Sequence, residues 1–461
     1  MTSFHNAPFA PSRWPFFYGY MILVGATLGT IMSAPGQTIG VSVFTDHLID
    51  SAGISRLWIS IAYGVGTIGS SLIIGRTGRL LDTIGVRIIG TIAAAGLGLV
   101  LVLMSRIDRV AAALSSPFGP SGRLVVTFAV MTVAFLFLRY LGQGVLTLAS
   151  RTMLMRWFDR RRGTVNAVMG AFIALTFSGA PLAFELLIRR WGWRGAWVLL
   201  GVLEALGMAL FALVFFRNDP HACGLQPDGA GAAAREGGEE SGAVSWTLPQ
   251  ARRTVTFWAF NLGLAMFSLV VTAVTFHVVS VFETGGLDRV DAISIFLPAS
   301  IISVTINVVA GIGSDHPWVS GRLKWLLCAL LAGMALSCTG ALSFSLRSGI
   351  GRWLLIAGNG IAGGFFGLLS AIVWPRYFGT AHLGAIGGYN MSFMVFSSAV
   401  GPPLFGASFS LLGTYDSALM LSLAAIGILF PFALRADKPA SSGVMEPSGC
   451  AQAELQADIE S

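Results

Sequence analysis

The sequence GRLLDTIGVR occupies residues 78–87 and lies between two long apolar runs. Its glycines allow the backbone to turn, and its arginines remain in water or beside anionic lipid headgroups. These properties predict a tight cytoplasmic connection between two transmembrane helices. Its single acid, Asp82, stands at a helix end, where a carboxylate is best stabilised by an arginine or by the positive N-terminus of another helix. We therefore expect Asp82 to hold two parts of the cytoplasmic face together.

The composition indicates a membrane protein. Hydrophobic residues make up 54% of the 461 residues, charged residues make up 11%, and the mean hydropathy is +0.75. Such a chain is too apolar for a soluble protein of this length and is expected to span the bilayer several times. The net charge of +7 would suggest a nucleic-acid partner in a soluble chain. Here the arginines lie between apolar runs, where they set topology, so we expect membrane lipids as partners and no nucleic acid.

Motifs for covalent chemistry are missing from the sequence. The four cysteines have no spacing typical of a metal site or a disulfide framework. No nucleotide-binding P-loop, HExxH motif or CxxC pair occurs. We therefore expect no enzyme activity, no cofactor and no metal, and we expect transport that ATP does not drive directly.

Twelve apolar runs are long enough to cross a bilayer. Between the sixth and seventh runs, residues 217–253 read as a solvated cytoplasmic linker, and residues 436–461 read as a disordered cytoplasmic tail. The predicted domains are therefore an N-terminal six-helix bundle (1–216) and a C-terminal six-helix bundle (254–435). The predicted spans are 16–44, 57–77, 86–105, 123–148, 163–188, 195–216, 254–282, 290–312, 323–345, 350–372, 383–412 and 416–435.

The distribution of Lys and Arg predicts the orientation. With twelve spans, the segments on the side of the two termini carry more of these residues than the segments on the opposite side. The positive-inside rule therefore places both termini in the cytoplasm and the chain in the cytoplasmic (inner) membrane. Nothing in the sequence indicates an oligomer, and we expect a monomer.

The two halves of the chain read as repeats. An offset of 220 residues aligns Arg156-Trp157-Phe158 with Arg376-Tyr377-Phe378 without a gap, and it also aligns Gly144 with Gly364. Chance identity between glycine-rich apolar helices is the alternative. Duplicated halves with a substrate site between them are a known transporter plan, in which one half rocks against the other.

The pattern of Gly78, Asp82, Gly85 and Arg87 resembles the loop signature of the major facilitator superfamily, and residues 311–315 (GIGSD) repeat its Gly-to-Asp spacing. The resemblance implies an all-α membrane protein with twelve transmembrane helices in two pseudo-symmetric six-helix bundles. It also implies secondary transport by alternating access. We expect a cytoplasmic latch that favours one conformer, and the residues predicted to form it are Gly78, Asp82, Gly85, Arg87, Arg151, Arg156 and Asp315.

Arg139 is the most informative single residue. It lies near the middle of the fourth run, far from Arg123 and Arg151 near its two ends. A buried arginine in a bilayer is costly unless it is paired or faces water, so it is a functional-site hypothesis by default. The alternative is a structural pairing with Glu185 or with a backbone carbonyl. The sequence RYLGQG (139–144) also resembles the fourth-helix arginine signature of the superfamily, which implies a role in substrate or proton coupling.

Several polar residues lie inside otherwise apolar spans. In the superfamily, helices one, four, seven and ten line the central cavity, which nominates further substrate-binding residues by resemblance. Each is about as well explained as an interhelical hydrogen bond. The sequence SAPGQT (33–38) in the first span predicts a kink or break, because proline removes a helix hydrogen bond and glycine loosens the turn. The nominated residues are Gln37, Gln143, Asn261, His277 and Asn359.

Proton coupling has three candidates. Glu204 lies in the middle of the sixth span, where an acid is costly, although a hydrogen-bonded or protonated structural role is the preferred interpretation. His277 stands near the external end of the seventh span and could titrate near neutral pH, but a lone histidine is more often a packing residue. Glu185 in the fifth span is the third candidate.

The likeness extends to one branch of the superfamily. The cluster RWFDRRRG (156–163) and its second-half copy around Tyr377-Phe378 resemble the monocarboxylate and oxalate/formate transporters. The chain departs from that branch because the eighth span has no buried charge, and because the eleventh has Asn390 but lacks the lysine that the oxalate branch uses in that helix. The resemblance implies a small organic anion as substrate, moved with protons or in exchange for a counter-substrate. The rivals are proton-coupled efflux of hydrophobic or cationic compounds and a transporter-like sensor that signals through residues 217–253.

Overall fold

A computed structural model describes residues 6–229, 245–287, 289–345 and 350–440. These residues are helical or irregular, and none of them forms a strand. Part of the predicted linker (230–244) and most of the predicted tail (441–461) lie outside the described residues. Eleven helical segments of the described chain are long and apolar enough to cross a membrane.

One of these segments contains two spans. Arg162–Phe215 is continuous apart from Gly192, whose backbone has φ 69° and ψ 163°. Glycine tolerates this conformation because it lacks a Cβ. The turn divides the segment into α5 (162–191) and α6 (193–215), so the fold has the twelve transmembrane helices that the sequence predicts. The other helices are α1 (Gly19–Ala52), α2 (Arg56–Thr83), α3 (Val86–Met104), α4 (Pro120–Trp157), α7 (Val255–Thr284), α8 (Phe296–Ser314), α9 (Lys324–Ser345), α10 (Ile350–Phe378), α11 (Leu383–Leu412) and α12 (Asp416–Leu434).

Some helices continue past the predicted ends of their spans. Helix α4 was expected to end at residue 148 and continues to Trp157, and α10 continues six residues beyond residue 372, to Phe378. An apolar run measures the part of a helix that lies in hydrocarbon, and the polar turns beyond it stay helical when they pack against protein. Both extensions lie on the side of the membrane that also holds the ends of the described chain, which we call the terminal side. The opposite side is called the far side.

Three of the helices change their geometry within the membrane, and one of them is α6, which is π-helical over Leu203–Met208. Helix α1 is interrupted by a 3₁₀ turn at Ala34–Gly36, and Gln37 is extended with φ −87° and ψ 161°. The break predicted from the proline and glycine is therefore confirmed. Helix α4 is π-helical over Arg139–Leu146, and such wide turns are rare and frequently lie at functional sites.

The two six-helix halves meet along two pairs of helices. Helix α2 packs against α11, and α5 packs against α8. Small residues allow these close contacts: the Cα of Gly78 lies against Gly388, and Gly163 lies against Gly311. The two contacts are related by the pseudo-symmetry of the halves. The interface is therefore built from repeated parts.

Candidate functional site

The break in α1 lies directly against the π-helical part of α4. A Cβ placed on Gly142 would lie only 2.8 Å from the Cα of Gly36, and a Cβ on Gly36 would lie 2.7 Å from the carbonyl oxygen of Leu138. Real Cβ atoms essentially never approach other atoms this closely, so both positions require glycine. The two irregular segments therefore touch through their backbones, and Arg139 begins the π-helical segment.

Arg139 is buried, with 1% of its surface exposed. Its Nη1 donates a long hydrogen bond of 3.3 Å to the carbonyl oxygen of Gly36, and its guanidinium lies 5.3 Å from the centre of the Tyr63 ring. Its Nε has no hydrogen-bond partner among the described residues, and no carboxylate of that part of the chain forms an ion pair with it. The carbonyl and the aromatic face compensate the charge only in part.

Two nominated amides lie beside Arg139. Gln37 donates through Nε2 to the Ser33 hydroxyl at 3.0 Å, and that hydroxyl also accepts a hydrogen bond of 3.2 Å from Thr147. Gln143 has a buried Oε1 without a hydrogen-bond partner in the described residues. The structure therefore groups Arg139, Gln143 and Gln37 at the contact of α1 and α4.

The nominated residues of the second half form hydrogen bonds to other residues of their own bundle. Asn261 is fully buried and accepts a hydrogen bond of 2.9 Å from Asn390 of α11. Asn359 accepts one of 3.0 Å from Ser337 of α9. His277 lies 3.0 Å from the carbonyl oxygen of Pro402 through Nε2, and 3.3 Å from the Tyr415 hydroxyl through Nδ1. These contacts match the interhelical alternative given for each residue, and their role in substrate binding stays a prediction.

The two acids considered for proton coupling have opposite environments. Glu185 forms an ion pair of 2.8 Å with Arg189 one turn later, and the two side chains are 42% and 74% exposed. It therefore does not form the pairing with Arg139 that was the structural alternative. Glu204 has no exposed surface, and neither of its carboxylate oxygens has a hydrogen-bond partner among the described residues. A carboxyl group in such a place is more stable protonated than ionised.

Asp82 joins the two halves on the terminal side. Its carboxylate accepts hydrogen bonds from the backbone N–H groups of Gly384 (2.8 Å) and Ala385 (2.7 Å), which form the N-terminus of α11. It also forms an ion pair of 2.6 Å with Arg156 at the end of α4, in its own half. These are the two kinds of partner expected for this carboxylate. Gly78 supports the contact, because any Cβ at this position would collide with the Gly384 carbonyl.

Asp315 makes the equivalent contacts in the second half. Its carboxylate accepts hydrogen bonds from the backbone N–H groups of Gly163 (2.7 Å) and Thr164 (2.8 Å) at the N-terminus of α5. It also pairs with Arg376 at the end of α10. At each site an acid binds the N-terminus of a helix from the other half, where the helix dipole favours negative charge. The terminal side is therefore closed by two related clusters.

Two other predicted latch residues, Arg87 and Gly85, belong to the connection between α2 and α3. Arg87 donates to the carbonyl oxygens of Leu213 (2.6 Å) and Ala7 (2.7 Å), both within the first half. Gly85 has φ 99° and precedes α3, a conformation that favours glycine. These two residues therefore shape the connection between α2 and α3.

A family model described as the Major Facilitator Superfamily matches residues 26–355. This match covers more than half of the chain. The protein belongs to the Major Facilitator Superfamily. The assignment identifies a multi-pass membrane transporter and not an enzyme. No curated protein matches the sequence.

Solved structures of superfamily transporters share the fold. A structure of the proton:xylose symporter XylE bound to 6-bromo-6-deoxy-D-glucose has a TM-score of 0.64 and 16% identity, covering 92% of this chain and 97% of that one. A bacterial homologue of the iron transporter ferroportin in its outward-facing state has a TM-score of 0.63, 14% identity and coverage of 90% and 99%. The human organic anion transporter MFSD10 (TETRAN) has a TM-score of 0.61, 14% identity and coverage of 90% and 99%. At these identities the likeness shows the fold alone.

Sequence reasoning did not identify every residue at the centre of this transporter. Tyr63 of α2 lies under the Arg139 guanidinium, and its hydroxyl donates to Thr38 at 2.9 Å. Thr147 connects α4 to the break in α1. Tyrosine and threonine are common in spans, so their type alone carries little information. No signal in the sequence marked either residue as part of the site.

Arg151 lies at a second contact between the halves. Its Nη1 donates a hydrogen bond of 3.0 Å to the Ser370 hydroxyl of α10, and its Nε has no partner in the described residues. It lines a cavity of about 40 Å³ together with Asn390 and Trp374. Arg151 was expected in the cytoplasmic latch, and it does join the halves, but through Ser370 and not through Asp82.

Proposed function

We propose that this superfamily member carries a small organic anion, such as a monocarboxylate, across the cytoplasmic membrane by alternating access. The observation that carries the proposal is Arg139, a buried guanidinium inside the membrane for which the described residues supply no carboxylate. Proton symport and exchange for a counter-substrate are the two modes of coupling that fit an anionic substrate.

The electrostatics of the site favour an anion. A positive charge in a medium of low dielectric constant attracts negative charge more strongly than it does in water. The protein supplies only a long hydrogen bond from Arg139 to the Gly36 carbonyl and the face of Tyr63. An arginine fork also matches the geometry of a carboxylate, which can accept two parallel N–H bonds. We infer that the carboxylate of the substrate completes the compensation of this charge.

The amides beside Arg139 suit the same ligand. Gln143 lies four residues along α4 and has a buried amide oxygen without a partner. Gln37 lies at the break in α1, where backbone groups released from the helix are available to a ligand. A hydroxyl or keto group next to a carboxylate would find donors and acceptors there. We propose Arg139 as the group that binds the charge, with Gln143 and Gln37 as its polar neighbours.

The latch contacts fit alternating access. Hydrogen bonds that Asp82 and Asp315 accept from backbone N–H groups close the terminal side, and we propose that this side faces the cytoplasm, as the distribution of basic residues indicates. Opening requires both carboxylates to leave the N-termini of α11 and α5. The described conformer would then receive substrate from the far side.

The rival function of cation efflux has less support from the contacts. Its candidate acid, Glu185, is partly exposed and already pairs with Arg189. A cation site needs an acid whose charge is not already neutralised by a neighbouring arginine. The sensor interpretation depends on residues 217–253, of which 230–244 lie outside the described residues.

The proposal is tested by counterflow in proteoliposomes preloaded with a mixture of small mono- and dicarboxylates. The variant is Arg139→Gln, and the matched control is Arg123→Gln, an exposed arginine in the first turn of the same helix. We expect saturable exchange in the wild type and in the control, and no exchange in Arg139→Gln. Exchange that survives in Arg139→Gln would refute the role of this residue. The efflux function would be established if folded protein exchanges no carboxylate and instead transports lipophilic cations, and if that transport is lost when Glu185 is replaced.

A further inference from the structure

A groove of about 600 Å³ opens at the far-side ends of α3, α5 and α6. Its rim is polar and carries Arg106, Arg109 and Arg194, with Trp191 beside them. Its wall is apolar and is formed by α6, including Val198 and Val202. The groove is separate from the Arg139 site and from the latch, and neither the proposed substrate binding nor the closing of the terminal side uses it.

Two of the three arginines in the groove are not compensated. Arg194 donates to both carboxylate oxygens of Asp108, at 2.7 and 2.8 Å, and to the Ser105 carbonyl at 2.6 Å. Arg106 and Arg109 are exposed, and their guanidinium groups have no hydrogen bond or ion pair among the described residues. Asp108 is therefore already neutralised by Arg194, and Arg106 and Arg109 keep their two positive charges at the groove.

The groove lies at the depth of the membrane interface. Arg106 follows the end of α3 by two residues, and Trp191 ends α5 with 56% of its surface exposed. Tryptophan is enriched at the level of the lipid headgroups, because its ring is amphipathic. The turn at Gly192 fixes this corner and directs α6 back into the membrane. The basic rim therefore stands where lipid phosphates lie.

Below the rim, an apolar surface continues into the membrane. On α6, Val202 and Leu206 are exposed by 44% and 68%, and on α3, Leu99 and Leu103 are exposed by 60% and 49%. Such a surface accommodates acyl chains, while a soluble anion would contact only the rim. The combination of free positive charge above and apolar helix faces below matches one kind of ligand, a lipid with an anionic headgroup.

We propose that this groove binds an anionic phospholipid, with its phosphate and headgroup held by Arg106 and Arg109 and its acyl chains along α3 and α6. The paired Asp108 and Arg194 form the fixed floor of the headgroup site. The proposal does not depend on the identity of the transported substrate. Basic residues near a membrane surface each favour anionic lipid by about fivefold, so two of them give a preference of about 30-fold.

The test uses the purified full-length protein equilibrated with phosphatidylglycerol and phosphatidylcholine that have the same acyl chains. Native mass spectrometry then measures how much of each lipid the protein retains. We expect the wild type to prefer phosphatidylglycerol by about 30-fold, and we expect Arg106→Gln/Arg109→Gln to lose this preference. The control Arg123→Gln removes an exposed far-side arginine that does not line the groove, and it should keep the preference.

Three outcomes would overturn the proposal. The first is an unchanged preference in the double variant, and the second is a preference lost equally in Arg123→Gln, which would indicate unspecific attraction. The third is displacement of the lipid by millimolar glycerol 1-phosphate, which would assign the arginines to a soluble anion. If the double variant does not fold, Arg109→Gln alone is measured, and Arg106→Lys/Arg109→Lys should retain the preference in a folded protein. Because lipid retention is measured without transport, this test can fail while the proposed function stands.

Discussion

Replacing Asp82 with asparagine tests how the terminal side is closed. In the structure the Asp82 carboxylate accepts two backbone N–H groups from α11 in the other half and one guanidinium from Arg156 in its own half. Only the two bonds to α11 distinguish the closed conformer from one in which the halves separate. The pair with Arg156 lies within one half and persists in both conformers, so its loss lowers stability and not the closed fraction.

The free energy that the closed conformer should lose follows from these two bonds to α11. A hydrogen bond to a charged group contributes about 1.5–3 kcal/mol and a neutral one about 1 kcal/mol. Asparagine keeps one acceptor oxygen and loses the charge, so two charged bonds are replaced by one neutral bond. The closed conformer should lose about 2–4 kcal/mol, because partial solvation reduces the upper end of the range. This corresponds to a shift of about 30- to 900-fold towards the open terminal side.

Alkylation of a single introduced cysteine measures the shift. Ala371 lines the cavity beside Arg151 and is 4% exposed, so Ala371→Cys in a cysteine-free background reacts only when the terminal side opens. Its rate with a maleimide should rise in Asp82→Asn by the factor given above, up to the rate of a fully exposed thiol. The pseudo-symmetric Asp315→Asn should act in the same way.

The control for this experiment is Asp437→Asn. Asp437 is a 64% exposed acid on the same side, and its ion pair with Lys324 lies within one half. Such a pair contributes little to stability and nothing to closure. The reasoning is refuted if Asp82→Asn alkylates at the wild-type rate while the protein remains folded, or if Asp437→Asn shows the same acceleration.

Two further predictions concern packing and pH. Gly142→Ala should reduce the free energy of unfolding by about 1–3 kcal/mol and lower the melting temperature, because its Cβ would overlap the Cα of Gly36. Gly207→Ala is the control and should leave the melting temperature unchanged, because a Cβ there meets nothing within 4 Å. Equal melting curves for the two variants would contradict the close contact of α1 and α4. On the far side, hydrogen bonds from Arg194 hold the pKa of Asp108 below its usual value near 3.9. This pair should therefore stabilise the fold fully above about pH 4, and its contribution should be lost as the pH falls through the lowered pKa. Thermal unfolding as a function of pH measures this loss, and Asp108→Asn should remove that part of the acid sensitivity.

The depth of residues in the membrane could be read from the sequence. Position along an apolar run gives depth directly, and the mid-membrane position of Arg139 was found in this way. The terminal-side position of Asp82 was found from its place between two runs. The break before Gln37 was found from residue type, because proline and glycine both weaken a helix.

The direction in which a side chain points could not be read in the same way. Spans such as α10 are apolar on all faces, so no amphipathic pattern shows which face is directed towards the cavity. Asn359 was nominated because helix ten lines the cavity in the superfamily, and in the structure it contacts Ser337 of α9. The π-helical turn of α4 adds to the difficulty, because it changes the angle between Arg139 and every later residue of the helix.

The arginine that pairs with Asp82 could be identified only from the fold. Arg87, Arg151 and Arg156 are all close to the terminal side in the sequence, and any of them could have paired with Asp82. In the structure Arg156 does so, because α4 extends past the predicted end of its span and brings its last turn beside α2. Long-range pairing of this kind depends on which helices are neighbours.

The comparison of the two halves separates motion from recognition. The latch parts are repeated: Asp82 corresponds to Asp315, and the arginine beside each acid occupies the same place at the end of α4 or α10. The buried charges are not repeated, because the 220-residue offset puts Asn359 opposite Arg139 and Ala371 opposite Arg151. A symmetric set of contacts suits the exchange between two conformers, which must break and remake equivalent bonds. An asymmetric charge suits recognition, because it gives an anion one half to bind while the other half moves past it. We infer that substitutions in the first half near Arg139 will alter selectivity, and that substitutions at either acid will alter the conformational cycle.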